Sequence, residues 1–161
     1  MDKSALVTQI ITELTLALEH ALAAADEAHK GATHEQSKAE TQYDTLGLEH
    51  AYLAEGQARR IQELKDAITK LHHFKPKAFE QDDAIYLGAL VKLDVIKGTT
   101  NKPQLWVLLA PTAGGMNIHW ENLNVQIISP NSPMTQAILS RYLEDEFQLA
   151  NGLRYQISQL H

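Results

Sequence analysis

The sequence predicts an α+β chain: an N-terminal antiparallel α-helical coiled-coil hairpin, then a small antiparallel β-sheet domain with one short helix. Three observations predict it. No proline occurs from Met1 to Phe74, and all five, at positions 76, 103, 111, 130 and 133, come later. Apolar residues recur with a helical period before that break and alternate after it. Near the end, Asn151-Gly152 lies between alternating apolar residues, the strongest short-range hairpin signal. The chain accordingly divides into residues 1–74 for the hairpin, 75–83 (KPKAFEQDD) for a linker and 84–161 for the sheet domain.

In the first helix, Val7, Ile11, Leu14, Leu18, Ala21, Ala25 and Ala28 follow the alternating four-three spacing of a heptad seam. The seam shrinks to alanine toward residue 28, so the partner helix is expected to come closer there. Gly31 is a good residue to end this helix, with Lys30 favourably placed against its C-terminus. Thr33 then caps the next helix, and Gln36 completes a capping box. So short a connection makes the helices antiparallel. The second helix, roughly 34–73, carries Leu46, His50, Leu53 and Gln57, then Ile61, Leu64, Ile68 and Leu71, with a stutter between the two groups. At ~1.5 Å per residue the helices would be about 40 and 60 Å long, a rod with KGATHEQ (30–36) at its far end.

The second half changes period. Ile85, Leu87, Ala89, Val91, Leu93 and Val95 alternate with Tyr86, Gly88, Lys92 and Asp94, which predicts a first strand. QLWVLLA (104–110) follows the GTTNKP turn as a second, and VQII (125–128) is a third. Ser132 and Pro133 form an N-cap and first-position pair opening the helix MTQAILSRY. FQLANGLRYQISQ (147–159) is the closing hairpin.

Composition narrows function. The absence of cysteine excludes disulfides and thiolate zinc sites. The net charge is −6, and residues 1–74 hold twelve acidic against seven basic side chains. That first half is unsuited to gripping a phosphate backbone and suits a basic cleft in a partner. Asp2, Glu13 and Glu19 interrupt the N-terminal apolar run, no segment approaches the ~18 apolar residues of a membrane span, and a soluble cytoplasmic protein is expected. Eight histidines invite a metal reading, but His72 and His73 are adjacent and do not share a helix face. Gly114-Gly115 lacks the Lys-Ser/Thr of a phosphate loop. Arg59, Arg60, Lys65 and Lys70 read as a solvated face with pairs such as Glu55–Arg59. Trp106 and Trp120 are expected in or at the edge of the core.

The segments ALVKL (89–93), LLAPTAGG (108–115) and ISPNSPMTQAILSRYLEDEFQL (128–149), following a helical hairpin, resemble the Gre family of bacterial transcript-cleavage factors. The resemblance runs over most of the chain. It implies an FKBP-like fold for the second domain, docking of that domain on RNA polymerase core, and insertion of the hairpin down the secondary channel. Carried over, the docking positions are Asn131, Ser132, Pro133 and Met134. Asn131 stands where one branch of the family has Asp, and family glycines appear here as Thr135, Ser140 and Glu144.

In the family the hairpin tip carries an Asp-x-x-Glu-Asn pattern, whose carboxylates help hold an Mg²⁺ ion shared with the polymerase active site. Anchoring on Glu40-Thr41 puts Ser37 in the Asp position. Anchoring on the turn instead puts Thr33 and Gln36 in the two acidic positions. Both alignments lose the first acid, and the second loses both. The remaining tip carboxylates, Glu35, Glu40 and Asp44, are the candidate catalytic residues, with Glu40 the candidate Mg²⁺ ligand. The resemblance implies no cofactor of the protein's own, no sequence-specific nucleic-acid binding and no membrane. The alternatives are a peptidyl-prolyl isomerase or a chaperone-like interaction protein without polymerase binding.

Overall fold

A computed structural model describes residues 2–33, 45–98 and 104–161. The chain divides into two compact units, Met1–Ile10 with Lys70–His161, and Ile11–Thr69. Helix α1 spans Lys3–Thr33 and α2 spans Thr45–His73. The start of α1 and the end of α2 belong to the same unit, so the two helices run antiparallel.

Asp2 caps α1: its Oδ1 accepts from Ser4 N at 3.0 Å and Ala5 N at 3.1 Å, satisfying two of the first-turn donors. The expected stop at Gly31 does not occur. A glycine inside a helix costs only about 1 kcal/mol relative to alanine, and α1 continues through it. Thr33 is therefore the last residue of α1 rather than the cap of the next helix, and its proposed partner Gln36 lies outside the described residues. At the other end, α2 stops just before Lys75-Pro76, where the ring of Pro76 disfavours helical backbone at Lys75.

The heptad seam also needs correction at its start. Val7 and Leu14 are buried as expected, but so are Leu6 and Ile10, which the four-three spacing left out, while Ile11 is half-exposed. The first turns of α1 do more than meet a partner helix. In the unit Met1–Ile10 with Lys70–His161, Gln9 Nε2 donates to the His119 carbonyl at 3.0 Å, and Lys3 reaches further backbone carbonyls. In the other unit, Leu64 is buried and Leu53 is exposed. By length and composition alone Lys3–Lys30 could cross a membrane, a weak indication that the core helix of a soluble protein also gives and that does not overturn the sequence expectation. Its Leu6, Val7, Ile10 and Leu14 are nonetheless buried within the fold.

Six strands form one sheet in the order β3-β4-β2-β1-β6-β5. Their ranges are β1 Leu90–Lys97, β2 Gln104–Leu109, β3 Asn117–Trp120, β4 Leu123–Ile128, β5 Glu146–Gln148 and β6 Arg154–Leu160. The sheet is mixed: every pairing is antiparallel except β2 with β4, where Trp106 faces Val125 and Leu109 faces Ile128 in parallel register. β1 begins five residues later than the alternation from Ile85 suggested. Ala89 N bonds to Tyr86 O at 3.0 Å and Gly88 has φ 97°, the third position that a type II turn reserves for glycine. That turn breaks the strand pattern. Ile85 is still fully buried.

One face of the sheet carries Val91, Leu93, Val107, Leu109, Ile128 and Ile157, packed with Ile138 of the short helix α3, Pro133–Ile138, and with Phe147 and Tyr155. The rings of Phe147 and Tyr155 stack at 5.4 Å. The opposite face carries Leu90, Leu108, Val125 and Ile127, all fully buried, with Trp106 and Trp120 nearly so. Both faces are thus covered, which an alternating pattern alone would not predict.

Candidate functional site

The segment singled out by sequence, Asn131–Met134, forms the entry to α3. Ser132 is the N-cap, extended at φ −73° and ψ 146°, and Pro133 occupies the start of the helix, where its missing N–H leaves no donor unsatisfied. Ser132 Oγ accepts from Thr135 N at 3.1 Å and donates to Thr135 Oγ1 at 3.0 Å. Thr135 Oγ1 in turn donates to the Ser129 carbonyl at 2.8 Å, and Ser132 N reaches the same oxygen at 3.0 Å. A buried threonine therefore ties the cap back to the strand that precedes it. Met134 is half-buried against the core, whereas Asn131 and Pro133 are exposed. Among the described residues, no hydrogen bond uses the Asn131 side chain, so the bonds that shape this turn do not distinguish Asn from Asp there.

Gly114 supports this turn from the β2–β3 connection. A Cβ at Gly114 would lie 2.6 Å from Ser129 Oγ and 2.8 Å from Ser129 Cβ. Real Cβ atoms do not approach so closely, and Ser129 is the residue to which Thr135 is anchored. The sequence excluded only a phosphate loop at Gly114-Gly115; the close approach of the residue just past β4, Ser129, is the signal a lone glycine can carry.

Beyond α3, Leu139 N bonds to Thr135 O at 2.8 Å and the chain turns. Ser140 and Glu144 have φ 64° and 70°, left-handed backbone that glycine adopts without strain. Ser140 N donates to Ile85 O at 2.9 Å and Ile85 N to Arg141 O at 2.8 Å, which joins this turn to the residues before β1. The Arg141 guanidinium is committed to the Ala137 carbonyl at 2.6 Å and the Glu146 carbonyl at 3.3 Å.

The candidate tip carboxylates Glu35, Glu40 and Asp44 lie outside the described residues. Among the described residues, no group of three or more His, Asp or Glu side chains could hold a metal ion. The expected Glu55–Arg59 pair is present at 3.6 Å, with both groups exposed. Exposed pairs of this kind contribute about 0–1 kcal/mol.

Two cavities bear on the other readings. Within Ile11–Thr69, Ala25, Ala28, His29, Leu53, Ala54, Gln57, Ala58 and Ile61 line a space of about 300 Å³ between the helices. The alanines expected to let the helices approach, Ala25 and Ala28, are among the residues that line this space. Where helices stay at the spacing that larger side chains require, small residues leave a gap. On the sheet, a cleft of about 330 Å³ is lined by Gln104, Leu105, Asn117 and Asn124. Among the described residues that line it, carboxamides dominate and none is aromatic.

No protein-family model matches the sequence, and none of the curated proteins compared with it matches. Among solved structures, GreA factor homolog 1 (Gfh1) of Thermus thermophilus is similar at TM-score 0.36 and 21% identity, covering 94% of each chain. A structure of the transcription factor Gfh1 gives TM-score 0.34 and 23% identity over 94% of this chain and 92% of that one. Thermus aquaticus Gfh1 gives TM-score 0.35 and 22% identity over 93% and 92%. Likenesses this distant do not bear on function.

Proposed function

We propose that this chain is a Gre-like accessory factor of bacterial RNA polymerase, acting in the cytoplasm on the polymerase rather than as an enzyme by itself. Its sheet unit docks through the surface around Asn131–Met134, and its acidic hairpin enters the secondary channel. The observation that carries this reading is the segment Ile128–Leu149, which resembles the family's docking region. In the fold, its Ser132–Thr135–Ser129 hydrogen bonds hold Asn131 and Pro133 out to solvent. The surplus of twelve acidic over seven basic residues in the first 74 is consistent with entry into a basic channel.

Two outcomes follow from the tip. With Glu40 as a ligand to the polymerase's Mg²⁺ and Glu35 and Asp44 beside it, the protein stimulates transcript cleavage. With the family's first acid missing and unreplaced, it modulates polymerase by occupying the channel. The test is transcript length over time in a purified, backtracked elongation complex with Mg²⁺, with and without this protein, and in competition with a known Gre factor. Shortening by the protein alone supports cleavage, and alanine substitutions at the three carboxylates then identify the ligand. Suppression of the competitor supports occupancy. Neither effect, together with failure to co-migrate with core polymerase at low salt, overturns the docking reading.

A further inference from the structure

Four of the large apolar side chains left in solvent come from two distant parts of the sequence that the fold brings together. Tyr86 is 55% exposed and Leu87 44%, at the turn before β1; Leu139 is 45% and Tyr142 50%, after α3. The paired backbone bonds between Ile85 and the residues Ser140 and Arg141 bring these two loops together. The Gly88 turn fixes the first loop. In the second, Tyr142 N donates to Asp145 Oδ2 at 2.9 Å, which fixes the turn carrying Tyr142. This ledge is continuous with the proposed docking surface, because a six-residue α3 is only about 9 Å long and carries Pro133 at one end and leads into Leu139 at the other.

The charges around the ledge are not balanced. Three nearby cations are engaged, Lys77 with Asp83 at 3.6 Å, Arg154 with Glu146 at 2.6 Å, and Arg141 with backbone carbonyls over the Phe147 ring, and the exposed Lys75 makes no ion pair among the described residues. The carboxylates of Glu80, Asp82 and Glu144, on the same two loops, make no ion pair among the described residues. Exposed tyrosines with uncompensated acids favour a segment that brings apolar anchors and Lys or Arg, since tyrosine rings accept both packing and cations.

We infer that this ledge receives a basic, apolar-anchored segment of RNA polymerase, as an extension of the contact made at Asn131–Met134; the inference rests on the docking reading above. Binding of the full chain to purified core polymerase is measured at two salt concentrations. One variant combines Tyr86→Ala with Tyr142→Ala, and another combines Glu80→Gln, Asp82→Asn and Glu144→Gln. The tyrosine variant should bind about tenfold more weakly, as expected for truncated aromatic anchors. The charge variant should show a shallower salt dependence than the wild type, the share contributed by the acidic hairpin remaining. Unchanged urea midpoints establish that both variants are folded. If the wild type binds and both variants match it in affinity and salt dependence, the ledge is not part of the contact and only this inference falls. If the wild type itself does not bind, the docking reading falls with it.

Discussion

Replacing Lys3 by methionine removes a charge from the first turn of α1 while keeping a side chain of similar length. Lys3 is only 7% exposed. Its ammonium donates to the Gly88 carbonyl at 2.9 Å and the His161 carbonyl at 2.7 Å, and also to the Lys77 carbonyl. It lies 4.6 Å from the centre of the Phe79 ring. Among the described residues, no carboxylate side chain is in this cage. The Gly88 bond is buried, whereas those to Lys77 and His161 are part-buried and water can replace them. Losing the ammonium therefore leaves one carbonyl without a partner, a cost of ~1–3 kcal/mol, offset in part because a charge no longer has to be buried. The expected net loss is about 1–2 kcal/mol, or roughly 0.5–1 M in the urea midpoint, followed by the fluorescence of the buried Trp106 and Trp120.

The same substitution carries a pH signature. Burial pushes Lys3 down from 10.5 to about 8. The native state thus releases this proton at lower pH than the unfolded chain does. Where the unfolded state binds more protons, stability rises with pH, so this contribution grows between about pH 8 and 10.5 and is flat below that window. Its slope is at most ~1.4 kcal/mol per pH unit. Lys3→Met lacks the group, so the gap between wild type and variant should widen as pH rises from 8 toward 10. A variant as stable as the wild type at pH 7, or a gap that narrows with pH, would refute the reasoning.

Three further substitutions address the turn that presents the candidate site. Gly114→Ala places a methyl 2.6 Å from Ser129 Oγ and should cost ~1–3 kcal/mol, read as a lowered unfolding midpoint. Thr135→Val keeps the volume but removes the hydroxyl between Ser132 and Ser129, with an expected loss of about 1 kcal/mol, because Ser132 N still satisfies the Ser129 carbonyl. Ser140→Gly relieves a left-handed residue at φ 64° and should raise stability by up to about 1 kcal/mol in the same measurement.

What could be read from the sequence was local. Ser132-Pro133 caps a helix, Asn151-Gly152 turns a hairpin in which Gly152 has φ 84°, and the apolar run of β2 and the alternation of β6 mark real strands. What could not be read depends on partners far along the chain. β3 is four residues, Asn117–Trp120, whose pattern is meaningful only beside β4. Leu6 and Ile10 looked like the flank of a heptad because a helical partner was the only one considered. Nothing in the periodicity of β2 or β4 reports that they run parallel. Two of the positions noted as glycine in the family the sequence resembles, Ser140 and Glu144, are the non-glycine left-handed residues after α3 among the described residues. At the candidate site, Asn131–Met134 was singled out through the resemblance and only its cap was legible from the residues alone, while Tyr86 and Leu139 are 53 positions apart and meet through the bonds at Ile85.

The margins of the sheet have a consequence for how this protein lives at high concentration. Its outermost strands are β3, of four residues, and β5, of three. Asn117, His119, Glu146 and Gln148 on them are exposed and polar. A stray chain seeking to add itself as a further strand finds few free amides and carbonyls in a row, and a hydrated, partly charged border around them. The molecule can therefore leave tyrosines and leucines in water without its sheet margins inviting its own copies to zip onto it.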